Sequence, residues 1–164
     1  MLKGLQKIQR PSGADDGVVQ TTKLIVDNEY AKAATEFVND AKNEIRLCAY
    51  AWRWYHNEPE IDIQKLNVEL YRARLRGVKV RCLVDTHAMQ DTFRALGFDC
   101  RSVVNTRMLH TKALSIDDKS VIIGSHNMTK RATTDNYEMS ILSQEFYVVQ
   151  AYIDYFDKIW VSRG

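Results

Sequence analysis

Apolar positions change their period several times along this chain, and each change marks a boundary between elements. Lys23–Val26 reads as a short strand. Tyr30, Ala34, Phe37, Val38 and Ala41 then recur every three or four residues, which predicts an amphipathic helix over 29–41. Glu44–Trp52 is an apolar run of strand length. Ile63, Leu66, Leu70 and Ala73 mark a second helix, closed by Gly77. Val78–Val84 reads as a strand, Ala88–Leu96 as a helix closed by Gly97, and Phe98–Val104 as another strand. Leu109–Ile116 and Ser120–Gly124 form a hairpin around Asp117-Asp118-Lys119, followed by a strand at Tyr137–Leu142. Phe146, Val149, Ile153, Phe156 and Trp160 define the last helix, the clearest of the set.

Strands that alternate with helices predict an α/β domain: a mixed, mostly buried sheet flanked by helices on both faces. At 164 residues the chain suits one domain with a full core, placed at 21–164. Residues 1–20, with Pro11-Ser12-Gly13 and Asp15-Asp16-Gly17, read as an N-terminal arm. No repeat or low-complexity segment interrupts the order. The formal charge of +2 neither demands nor excludes a polyanionic partner, so local patches matter more than the total. Cys48, Cys82 and Cys100 are odd in number and lack metal-ligand spacing; they read as reduced core residues. With no apolar leader at the start and no run long enough to span a bilayer, the expectation is a cytoplasmic protein without stable membrane association.

One stretch carries chemistry: His110-Thr111-Lys112, then Asp117 after four intervening residues, then Gly124-Ser125-His126-Asn127. The pattern, H-x-K-x4-D-x6-G-S-x-N, combines a nucleophile or acid/base with a fixed positive charge and polar donors. Phosphoryl transfer needs those parts. The stretch resembles the HKD signature of the phospholipase D superfamily at every fixed position, and Glu138 stands eleven residues past Asn127, where members often carry an acidic residue. The resemblance implies a phospholipase D-like α/β fold and catalysis without a cofactor or metal.

In a strand, period two puts His110 and Lys112 on one face, with Leu109, Thr111 and Ala113 on the other. A core histidine beside a surface lysine is the bland reading of that pair alone; the remaining motif positions make it a minor one. Gly124 would allow a tight bend. Ser125 and Asn127, two apart, offer donors to phosphate oxygens, although G-S-x-N is also an ordinary turn. His126, at the variable position, should point away from them and serve structure. Asp117 lies at an odd offset from Lys112, on the opposite face, and is expected to hold the hairpin. Glu138 is the candidate to fix the tautomer of a catalytic imidazole, with a solvated strand residue as the alternative.

Two further segments suit a polynucleotide. Trp52-Arg53-Trp54 can stack bases and contact phosphate, or Trp52 and Trp54 can equally cap the core. Lys130 and Arg131 follow the motif and are the better phosphate contacts than the Arg72–Arg81 run, which reads as a solvated face.

The superfamily's chemistry, as the resemblance implies it, uses two HKD motifs. One histidine forms a phosphohistidine and the other protonates the leaving oxygen. Only one copy is present here, and none of His56, His87 and His126 has a lysine two positions on. The resemblance therefore implies a homodimer whose two copies of His110, Lys112 and Asn127 line one cleft. The leading expectation is an endonuclease with DNA or RNA as substrate. The alternatives are a phospholipid phosphodiesterase or phosphatidyl transferase, and a silent nucleic-acid-binding member of the fold.

Overall fold

The computed structural model describes residues 22–104 and 107–163; the expected arm at 1–20 lies outside them. Twelve elements follow in order: β1 (Thr22–Val26), α1 (Glu29–Asn39), β2 (Glu44–Ala49), α2 (Asp62–Leu75), β3 (Lys79–Val84), α3 (His87–Ala95), β4 (Asp99–Ser102), β5 (Ala113–Ile116), β6 (Ser120–Gly124), α4 (Lys130–Thr134), β7 (Met139–Ser143) and α5 (Phe146–Val161). The strands form one sheet in the order β1-β7-β6-β5-β2-β3-β4. β2, β3 and β4 run parallel, and the other neighbours are antiparallel. Parallel neighbours need crossovers, which α2 and α3 provide. β5 then pairs antiparallel with β2, a tight turn joins it to β6, and a longer connection through α4 leads to β7.

Helices cover both faces. On one, α1, α2 and α3 bury Val38, Leu66, Leu70 and Phe93 against Ile45, Leu47, Cys82 and Leu114 of the sheet. On the other, α5 buries Val149, Ile153 and Phe156 against Cys48, Leu83, Ala113 and Val121. Alternation along β2 sends Leu47 to the first core and Cys48 to the second, so the apolar run at 44–49 serves both. All three cysteines are free and buried. Burial pushes the Cys48 and Cys100 thiols up to about 12, so they stay protonated.

Charge is also buried under α5. Arg46 pairs with Glu44 and Asp118, and Arg81 with Glu44 and Asp157. These pairs tie α5 to the base of β2 and β3, at the end of the sheet opposite the motif loops.

The strands are shorter than the apolar runs suggested. β2 ends at Ala49 rather than Trp52, and β5 begins at Ala113 rather than Leu109. Beyond those points the ladders stop: residues 50 and 51 bend, Trp52 makes a lone parallel bridge to Met128, and residues 109–112 lead into β5 beside the candidate site.

Candidate active site

His110 and Lys112 precede β5 instead of lying within it, a correction to the expected strand over 109–116. The lead-in is nevertheless fixed at both ends. The Leu109 amide donates to Asp85 Oδ1 at 2.7 Å, and the Lys112 carbonyl accepts from the Gly124 amide at 3.1 Å. Side chains still alternate: Leu109 is buried in the α5 core and His110 is exposed. The His110 ring stands tilted against Tyr50, with centroids 4.8 Å apart. Lys112 is buried, at 8% exposure. Its ammonium donates to the His110 carbonyl at 2.8 Å and sits 4.8 Å from the Tyr50 ring centroid. Burial lowers the Lys112 pKa, and the nearby Glu138 charge pulls it partly back.

The second half of the motif leaves β6. Gly124 is required by contact: a Cβ there would lie 2.1 Å from Ser140 Oγ and 2.3 Å from the Met139 carbonyl oxygen. From there the chain alternates outward and inward. Ser125 and Asn127 face a shallow depression of about 340 Å³ shared with His110, Lys112 and Gly124. His126 and Met128 are buried pegs, at 1% and 2% exposure. Asn127 Oδ1 accepts from the Ala51 amide at 3.3 Å, so its amide nitrogen is the group left to donate.

Ser125 and Glu138 are brought together differently from the expectation. The Ser125 hydroxyl donates to Glu138, and its oxygen accepts from the Met139 amide at 3.1 Å. The other Glu138 oxygen accepts from Asn136 Nδ2 at 2.9 Å. Within one protomer, then, Glu138 orients Ser125 rather than the His110 imidazole, and the serine proton is committed to a carboxylate. No periodicity argument reveals this pair: Ser125 and Met139 still meet one step past Gly124–Ser140, the Ser125 amide donating to the Met139 carbonyl at 3.0 Å, and Glu138 lies one residue further on.

Asp117 lies away from the depression. It occupies the three-residue β5–β6 turn, Asp117–Lys119, with φ +51°, beside Asp118 at +54°, both left-handed. Its carboxylate accepts from the amides of Lys42, Asn43 and Glu44 at 2.7–2.9 Å. Burial alone would raise its pKa; the three amides outweigh that and hold it below the usual range.

The proposed nucleic-acid contacts separate. Trp52 is a correction: it is 3% exposed, stacked on Phe93, and donates its indole N–H to Asn67 at 2.8 Å. Its area is spent on the core and no base can reach it. Trp54 is half-buried against Tyr71 and His56. Arg53 is exposed beside Tyr50 and Asp85. Lys130 is ion-paired with Glu58, and its amide donates to the Tyr55 hydroxyl at 2.8 Å. Of the expected contacts, Arg53 and Arg131 are then the exposed charges with no ion pair among the described residues. Sequence reasoning also missed Tyr50, which nothing in its apolar run distinguishes. Among the described residues no three His, Cys, Asp or Glu side chains converge as a metal site.

Comparison with known proteins agrees with this geometry. The model of the cardiolipin synthase, PLD-like domain matches residues 35–160. This chain belongs to the phospholipase D-like family. A phospholipase D of Rickettsia felis is 30% identical over 104 residues, covering 60% of this chain and 50% of that protein. The mouse mitochondrial cardiolipin hydrolase is 26% identical over 128 residues, 73% of this chain and 53% of that one. The chain thus spans about half the length of the curated relatives it matches. Among solved structures, Nuc from Salmonella typhimurium, a phospholipase D family member, superposes with a TM-score of 0.73 at 20% identity, over 88% of this chain and 97% of that one. The fold is therefore phospholipase D-like. No helix of the described residues is long and apolar enough to cross a membrane.

Proposed function

We propose that the protein is a metal-independent phosphodiesterase that cleaves nucleic acid as an endonuclease, through a phosphohistidine on His110 at a site shared by two subunits. The observation that carries this reading is the convergence of His110, Lys112 and Asn127 on one shallow, open depression. An imidazole nitrogen of one His110 attacks phosphorus, and the bond to the leaving oxygen breaks. The second subunit's His110, as imidazolium, gives that oxygen its proton. Water then attacks phosphorus, the second imidazole takes its proton, and the P–N bond breaks. Lys112 and the Asn127 amide hold the non-bridging oxygens, where charge accumulates. Lys112 thereby supplies the positive charge for which many phosphodiesterases use a metal.

Two features favour a polynucleotide. The depression is shallow enough for a chain to pass through. Arg53 and Arg131 are exposed near the motif loops. A second copy also has a surface to meet: Leu24, Ile141 and Ile123 are register neighbours across β1, β7 and β6, next to Gly124, and remain 53%, 46% and 37% exposed. A phospholipid substrate is the second reading, favoured by relatives named phospholipase D and cardiolipin hydrolase. Incubation with plasmid DNA, RNA and labelled anionic vesicles in excess EDTA separates the two. Nicking of polynucleotide is the expected result. Release of headgroup with intact nucleic acid would transfer the assignment to lipid, and activity lost to EDTA and restored by Mg2+ would refute the mechanism.

A further inference from the structure

His126 occupies the variable position of the motif, yet it is among the most completely tied side chains in the molecule. Its Nδ1 lies 2.7 Å from Ser140 Oγ on β7, and its Nε2 lies 2.9 Å from the Asp27 carbonyl oxygen in the β1–α1 turn. Its ring stacks on Tyr30 of α1, centroids 4.5 Å apart and planes 10° from parallel. A carbonyl only accepts, so Nε2 carries the proton and neutral Nδ1 accepts from Ser140.

Each partner leads back to the site in one step. Asp27 holds Glu138 from both sides: its Oδ1 accepts from the Glu138 amide and its own amide donates to the Glu138 carbonyl, both at 2.9 Å. Asp27 keeps an unfavourable φ of +47° to do so, a conformation that needs outside support. Ser140 Oγ, in turn, lies against Gly124, which opens the G-S-x-N segment. Glu138 orients the Ser125 hydroxyl.

We propose that His126 is a positioning residue: by clamping Asp27 and Ser140 it sets the Glu138 backbone and the Gly124 bend, and so aligns the Ser125–Glu138 pair and Asn127 with Lys112. The catalytic half of this statement rests on the phosphodiesterase reading above. Burial lowers the imidazole pKa against the pull of the Asp27 carbonyl and the Glu138 and Asp27 carboxylates. That direction favours the neutral ring that the Ser140 and Asp27 contacts require.

Three variants divide its functions. His126→Leu keeps the volume and removes both hydrogen bonds. His126→Gln can still reach the Asp27 carbonyl, and His126→Asn can still reach Ser140. Hydrogen exchange at the Glu138 and Met139 amides reads the clamp directly, without reference to turnover. His126→Leu should speed exchange there at least tenfold while Leu47 and Cys82 in the central strands stay protected. On a small nitrophenyl phosphodiester its kcat per folded molecule should fall by roughly a hundredfold, as for a misplacement of about 1 Å, with KM little changed. His126→Gln should recover most of both effects. Adding Asp27→Ala to His126→Leu should cost little further, because the two act in series.

Unchanged exchange at Glu138 and Met139 would overturn the proposal whatever the activity. Exchange that rises equally in Leu47 and Cys82 would make His126 a general core residue. Local loosening with normal kcat would remove its link to catalysis. A wild-type protein that cleaves no phosphodiester defeats the functional reading instead, and the exchange data still decide the clamp.

Discussion

His110 and Lys112 are two residues apart, but the structure gives them opposite environments, and their substitutions should differ accordingly. His110 is exposed, its ring tilted against Tyr50. His110→Ala should abolish turnover while the circular dichroism spectrum and melting temperature stay unchanged. Near-normal rates in that folded variant would end the assignment. Lys112 is buried against Tyr50 and the His110 carbonyl. Lys112→Ala should slow cleavage about a hundredfold or more through lost stabilisation of the phosphoryl oxygens, with some loss of stability as well. His126 adds a pH signature. Its folded pKa lies below the ordinary value of about 6.5, so both states are neutral above that pH and nothing is lost there. As pH falls below about 6.5 the unfolded chain gains a proton that the folded one resists, and stability declines toward the folded pKa. Urea titrations from pH 8 to 5 should show that decline in wild type and a shallower one in His126→Gln. Equal slopes would mean that other groups carry it.

At the scale of elements, much of the fold could be read from periodicity. Where apolar residues recur regularly, as in α1, α2 and α5, the helices lie as expected, because an amphipathic stripe has one way to bury itself. Errors fall where a chain leaves a ladder while its sequence keeps an apolar or alternating pattern: residues 50–52 bend away with a lone bridge from Trp52 to Met128, and residues 109–112 run outside β5 beside the candidate site. The short α4 was missed because Lys130–Thr134 has no apolar stripe; its N-cap Thr129, accepting from the Ala132 amide, decides it. Motif spacing marked His110, Lys112 and Asn127. The Ser125–Glu138 contact was not legible, since it depends on how two strands end rather than on any local pattern. Asp117 illustrates an element held by one side chain. Asp117→Asn replaces one acceptor oxygen with a donor facing the Lys42–Glu44 amides, a cost of roughly 1–3 kcal/mol. The wild-type bonds act above the ordinary carboxylate pKa and fade as pH falls through the lowered folded value. A lower denaturation midpoint at pH 7 with kcat unchanged is expected. A matching loss of kcat would give Asp117 a direct role.

For the molecule as a whole, the exposed cations and the uncovered sheet row set the remaining expectations. Arg53→Ala and Arg131→Ala should each weaken oligonucleotide binding and lower its salt dependence, and should leave the small nitrophenyl ester unaffected. Lys130→Ala should do less, because Glu58 already offsets its charge. Parallel losses on both substrates would make the arginines structural. The pH–rate profile should be bell-shaped, since one imidazole must be neutral while its counterpart is protonated.

The central claim, one site built by two chains, is tested most directly by mixing subunits. Wild-type and His110→Ala protein are combined in varying ratio, given time for full exchange, and assayed on DNA in EDTA. Heterodimers would hold a single catalytic imidazole and be inactive. Activity should therefore fall with the square of the wild-type fraction. A linear fall would show that each chain cleaves alone and would contradict the shared site.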